Sequence, residues 1–254
     1  MDRFHGLKIG MQAWTLRNFE IEDVVSKTAE LGLEHLELGA LGRSGLGPES
    51  PDKVAVAAAL CRARGVHTEV YNAKFPSDLS EEAQQPNFDL ARQLGARCVS
   101  GGIAIELLPV LDRLAAEYDM TVAIHNHGPG GSLSGIEAIG AILKPFSPRV
   151  GLCVDTGHYL RLPLDPISVI DAFYDRVHAI HLRDMDPDKD PVKGDGGNYK
   201  EYIVGEGPLN LKGLLHRLVE RRFQGVIALE YKPNPDNPMI DLWRALGHIE
   251  VSLE

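Results

Sequence analysis

The chain has 254 residues, is 44% hydrophobic, and carries 36 acidic against 26 basic side chains for a formal charge of −10. That length and apolar share suffice to bury a full core and fit one barrel-sized domain. A surface this negative repels phosphate backbones, which excludes nucleic acid and anionic membranes as partners while leaving local anion sites open.

The first predicted strand covers residues 7–11, and an amphipathic helix follows over 21–31, closed by Gly32. LEHLEL at 33–38 alternates with period two and ends at Gly39. A helix over 51–64 begins on Pro51 and stops at Gly65. The pattern repeats with a strand at 66–71, a helix ending near Leu94 and Gly95, a strand at 97–100 and a helix at 105–118. The second half reads as strand 121–125, helix 135–143, strand 150–155, helix 166–174 and strand 177–182. A long polar excursion precedes a helix at 210–221, a strand at 225–230 and a closing helix at 239–251.

Eight strand–helix units without a linker or composition break predict one α/β domain over 1–254, a single (β/α)8 TIM barrel. An open doubly wound sheet is the rival, but a nucleotide binder of that kind needs a Gly-rich turn after the first strand. The turn here reads MQAWTLRNF and has no glycine. No apolar run approaches the roughly 18 residues of a membrane span, and the N-terminus shows no signal-peptide pattern. Cys61, Cys98 and Cys153 form no CxxC pair and read as buried reduced thiols, so a cytoplasmic location is expected.

In a parallel barrel the chemistry gathers at the C-terminal ends of the strands. Those positions hold Glu37 on strand two, Glu69 and Tyr71 on strand three, and His125-Asn126-His127 on strand five. Strand six ends at Asp155 with His158 beyond it, strand seven presents His181 and Arg183, and strand eight ends at Glu230. Alternation puts His125 and His127 on one face and His181 beside Arg183. Asp155, His181 and Glu230 are predicted at equal heights on three neighbouring strands. Carboxylates and imidazoles converging in this way are the ligand mix of a mononuclear divalent site. Manganese is the first choice, with magnesium, cobalt or zinc as alternatives.

The motifs IHNH, CVDTGH, HLRD, VGEGPLN and IALEY, in that order, resemble the xylose isomerase-like TIM-barrel superfamily, the sugar phosphate isomerases and epimerases. The resemblance covers essentially the whole chain. It implies Asp155, His181 and Glu230 as metal ligands, His158 and Arg183 as contacts to substrate oxygens, and His127 beside the substrate. His125 stands where many members carry a glutamate. It either ligates the metal as neutral imidazole or leaves that place to water, and it remains a candidate base. Trp14, Tyr71 and Phe75 are candidates for a wall on which a sugar ring stacks, and Glu37 and Glu69 for polar groups at the mouth.

A metal on adjacent carbonyl and hydroxyl oxygens acidifies the intervening C–H and stabilises the resulting enediolate. The leading expectation is a metal-dependent isomerase or epimerase of a ketose, with Glu230 as ligand and base and His125 or His158 as second proton carrier. The alternative is a dehydratase or lyase on a keto-cyclitol or 3-keto-glycoside, resembling inosose and 3-dehydroshikimate dehydratases. A third class is a sugar-binding module without turnover. The expected partner is a small sugar or cyclitol, and a homo-oligomer is left open. The stretch RDMDPDKDPVKGDGGNYKEY fails the EF-hand template, having Lys189 at the sixth place from Asp184 and Asp195 at the twelfth. It is expected to form a lid over the barrel mouth.

Overall fold

The computed structural model describes residues 2–162, 164–187 and 199–254. The expected lid falls largely on residues 188–198, outside the described residues.

Ten strands form among the described residues: β1 (Lys8–Gln12), β2 (His35–Gly39), β3 (Val70–Asn72), β4 (Cys98–Gly101), β5 (Thr121–His125), β6 (Val150–Asp155), β7 (Val177–Leu182), β8 (Asp184–Met185), β9 (Glu201–Tyr202) and β10 (Val226–Leu229). Eight close into a barrel in the order β1-β10-β7-β6-β5-β4-β3-β2, and every barrel pairing is parallel. The expected (β/α)8 TIM barrel is therefore present. β8 and β9 form a separate antiparallel pair at the stem of the polar excursion, which the sequence pattern did not announce.

Strand alternation turns one set of side chains inward and the other toward the helices. The inward set is small, with Val70, Cys98, Ala123, Cys153, Ala179, Val226 and Ala228 packed as one cluster. The outward set joins the main core under the helices. These are α1 (Ile21–Glu30), α2 (Pro51–Ala63), α3 (Glu81–Leu94), α4 (Leu108–Tyr118), α5 (Ile136–Leu143), α6 (Thr156–Leu160), α7 (Pro166–Ala172), α8 (Leu211–Glu220) and α9 (Met239–Leu253). α1 buries Ile21, Val24, Val25 and Thr28, and α8 buries Leu211, Leu214, Leu215 and Leu218, the spacing of a single helical face. Side-chain caps fix where several helices begin: Ser80 accepts from the Ala83 amide and Asn210 from that of Gly213. α3 ends at Gly95, whose φ of 85° is left-handed and admits glycine without strain. No helix among the described residues is long and apolar enough to cross a membrane.

The third strand departs from the prediction. The alternating run VHTEV suggested a strand from residue 66, but β3 begins at Val70, and His67 makes only an isolated bridge to His35. Glu69 therefore enters the barrel at its N-terminal end, beside Lys8, instead of crowning the C-terminal mouth. Tyr71 pairs with Leu38 and Val99, faces the helix layer, is fully buried, and donates its hydroxyl to the Leu46 carbonyl at 2.8 Å. Both residues leave the candidate substrate set. Asn72, the next inward position, reaches the mouth in their place.

Candidate metal centre

Four side chains converge above the inward cluster. Ligand atoms of His125, Asp155, His181 and Glu230 all lie within 4.8 Å of one another. The register shows how they meet. Asp155 pairs with His181, as expected, but His181 pairs with Ala228, so Glu230, just past the end of β10, stands two residues further along the chain. The stagger of a closed barrel brings these unequal heights together.

Asp155 serves two purposes with its two oxygens. Oδ1 accepts from the His158 amide at 2.8 Å and caps α6, while Oδ2 faces His125 Nε2 at 3.3 Å and Arg183 Nη1 at 3.2 Å. Asn126, on the opposite side of the strand from His125, locks this strand end. Its Oδ1 accepts from the Asp155 amide at 2.7 Å and its Nδ2 donates to the Asp155 carbonyl at 3.1 Å.

His181 lies between two carboxylates. Its Nε2 is 2.9 Å from Glu37 Oε1, and its Nδ1 is 3.0 Å from Glu230 Oε2. Glu37 is wholly buried and is itself held by Ser100 Oγ at 3.0 Å and Asn72 Nδ2 at 3.2 Å. It is placed behind His181 and does not line the cavity, contrary to the expected substrate contact. Burial disfavours charge on His181, but the Cys153 sulfur, Glu37 and Glu230 outweigh it and hold the imidazole well above its ordinary pKa. Burial likewise pushes Glu230 up, yet Arg183 and His181 prevail and hold it well below the usual carboxylate range. A carboxylate so stabilised is a better ligand than base.

Arg183 is fully buried and acts as the counter-charge for the whole cluster. Nε and Nη2 reach Glu201 at 3.1 and 2.9 Å, and Nη1 stands 3.2 Å from Asp155 and 3.6 Å from Glu230. Its donors meet protein carboxylates, so the expected contact to substrate oxygens is replaced by an ion-pair hub. His158 is 3% exposed, with Nδ1 3.3 Å from Arg161 Nη1 and Nε2 3.3 Å from Arg183 Nη1. Burial, with Arg183 adding to it, lowers its pKa to about 4 against the pull of Asp155. His158 does not line the cavity, which sets it apart from the side chains placed to meet a substrate.

A cavity of about 380 Å³ opens above the cluster, lined by His125, His181 and Glu230 together with Gln12, Trp14, Asn72, Lys74, Phe75, His127 and Lys232. Trp14 and Phe75 thus occupy the walls proposed for them. Lys232 approaches Glu230 Oε1 to 3.4 Å. His127 follows β5, and its ring lies 4.9 Å from that of His125. Gly102 leaves it room, since a Cβ there would fall 3.0 Å from His127 Cε1. Sequence reasoning missed Glu201, Gln12, Asn72, Lys74 and Lys232. Only Lys232 carried a signal, its place two residues beyond Glu230 after the same strand.

The donor set fits a divalent ion. Nε2 of His125 and Nδ1 of His181 are buried and make no hydrogen bond, although Asp155 and Glu230 oxygens approach them. Two buried imidazole nitrogens without hydrogen-bond partners, facing two carboxylates, are what a cation satisfies.

A family model described as xylose isomerase-like TIM barrel matches residues 25–245. Inosose dehydratase of Lactiplantibacillus plantarum is 28% identical over 137 residues, covering 50% of this chain and 45% of that protein. The same enzyme from Clostridium tetani is 28% identical over 151 residues, covering 55% and 50%. The chain thus spans about half the length of the curated relatives it matches. Among solved structures, a protein from Parabacteroides distasonis superposes with a TM-score of 0.73 at 25% identity, covering 96% of this chain and 98% of that one. The probable 3-DHS dehydratase AsbF of Bacillus anthracis gives 0.75 at 14% identity, covering 95% and 98%. A xylose isomerase-like barrel from Mycobacterium smegmatis, in complex with magnesium, gives 0.71 at 15% identity with 100% of both chains covered.

Proposed function

The chain belongs to the xylose isomerase-like TIM-barrel family, and from that membership and the site geometry we propose that it is a divalent-metal-dependent lyase of the dehydratase kind. Its substrate is a small polyhydroxy ketone, either a keto-cyclitol or a keto-sugar, free or glycosidic. Asp155 and Glu230 would each contribute a carboxylate oxygen to the metal, and His125 and His181 an imidazole nitrogen each. Two imidazoles favour manganese, cobalt or zinc over magnesium, and manganese remains the first choice. When bound, the ion supplies Lewis-acid polarisation of a substrate carbonyl, which acidifies the neighbouring C–H.

One observation carries the choice of elimination over the isomerisation expected from sequence. Among the described residues the cavity is lined by no carboxylate besides Glu230, and nearby Glu37 and Glu201 are tied to His181 and Arg183. Opposed glutamates are therefore missing, and His127 is the imidazole in the cavity wall outside the ligand set. Neutral His127 takes the proton α to the carbonyl and returns it to the β-oxygen as that group departs, so one side chain serves a same-face elimination. Trp14 and Phe75 hold the apolar face of the ring, and Lys232 stands beside Glu230 at 3.4 Å. The names of the curated relatives, inosose dehydratases, support this reading. Lys232 favours a second reading: it follows β10, which β7 and β6 separate from β5, so epimerisation would have a carrier on each side.

His127→Gln tests the assignment. With inosose or a 3-keto-glucoside as substrate, the variant should keep its metal while turnover falls by about 10²–10⁴-fold. α-Proton exchange from deuterated solvent should be lost in parallel. Unchanged turnover would remove His127 from the reaction. Saturable binding without exchange in the wild type would instead mark a binding module.

A further inference from the structure

A second chamber of about 250 Å³ adjoins the main cavity, and the two share Gly102, His125 and His127 in their walls. Their chemistry differs. The main cavity carries Lys74, Lys232 and Glu230, whereas no Asp, Glu, Lys or Arg lines the second chamber. Its walls include the aliphatic Ile103, Ile124 and Leu133, with Ser132 as a polar point. Asn126 also faces it, but its amide is committed to Asp155.

Expulsion of hydroxide needs no such space, because a departing water occupies about 30 Å³ of liquid volume. A charged substituent would find no Asp, Glu, Lys or Arg there as a counter-ion. We infer that the second chamber receives the leaving portion of the substrate, and that this portion is an uncharged alcohol larger than water. Within the range proposed above, the favoured substrate is then a keto-glycoside, ether-linked at the carbon β to its carbonyl. This rests on the lyase reading above.

His127 stands in the shared wall, so the bond joining the two parts of the substrate passes beside its imidazole. The neutral ring takes the α-proton, and the C–H electron pair becomes the new C=C bond. The β C–O bond breaks with its pair on oxygen, and the imidazolium returns the proton to that oxygen. The products are an alcohol and an unsaturated ketone. No oxidant, reductant or water is consumed.

The test compares cyclohexyl with methyl 3-keto-β-D-glucopyranoside, two substrates whose alkoxide leaving groups differ mainly in bulk. Alcohol release is measured for the metal-loaded wild type and for Ser132→Trp and Ala104→Trp. Both positions are exposed and line the chamber, so a large side chain narrows it without entering the core. In the wild type kcat/KM should favour the cyclohexyl substrate by about tenfold or more. At least one tryptophan variant should lower that ratio about tenfold. A wild-type ratio near one, or a ratio unchanged in both variants, overturns the inference while α-proton exchange leaves the lyase reading standing. Absence of exchange with both substrates removes the lyase reading and this inference with it.

Discussion

Nε2 of His181 lies 2.9 Å from Oε1 of Glu37, while Nδ1 of the same ring faces Glu230 at 3.0 Å. A carboxylate behind a ligating imidazole fixes its tautomer and orientation and raises its basicity. With Nε2 donating to Glu37, the Nδ1 lone pair is left for the metal. Glu37→Gln should weaken divalent-metal affinity by about 10–100-fold, read by metal titration calorimetry on the folded protein. Equal affinity in variant and wild type would show that Glu37 merely fills the barrel.

Arg183 is expected to matter for stability before it matters for substrate. Removing it leaves Asp155, Glu201 and Glu230 buried without their shared counter-charge. Arg183→Ala should cost about 3–5 kcal/mol in denaturant unfolding of the metal-free protein. Added divalent metal should restore part of that loss, because it supplies positive charge to two of the three carboxylates. A variant of wild-type stability would contradict the hub.

Glu69 provides a pH test away from the mouth. A bond from His35, opposed by burial and aided by Lys8, lowers its pKa from 4.5 to about 2. A folded-state pKa below the unfolded one contributes stability above pH 4.5, lost as pH falls toward 2. Glu69→Gln should therefore lower Tm at pH 7, and the difference from wild type should vanish near pH 2. Metal affinity should not change. A loss of metal or turnover without a loss of Tm would return Glu69 to the active mouth.

Much of the candidate site was legible because its polar groups sit at strand ends, where a polar residue in an apolar run stands out. Asp155, His181 and Glu230 followed from that rule, and His125 and His127 from alternation. The HLRD and VGEGPLN motifs also proved to be one structural unit, since the buried Asp184 carboxylate accepts from the amides of Gly205, Gly207 and Leu209. Two kinds of information were not legible. Strand three was misplaced because VHTEV alternates like a strand although its pairing begins at Val70, and this moved Glu69 and Tyr71 to the wrong surroundings. The partners of Arg183 and His181 were hidden as well. Glu201 lies 18 residues from Arg183 and Glu37 lies 144 from His181, separations that only the closed barrel and the β8–β9 pair bring together.

The central claim is that His125, Asp155, His181 and Glu230 hold one divalent ion. The most direct measurement is metal content by elemental analysis of the purified wild type, Asp155→Ala and His181→Ala after equilibration with manganese. One ion per wild-type chain and none in either variant is the predicted result. Full occupancy in both variants would contradict the account.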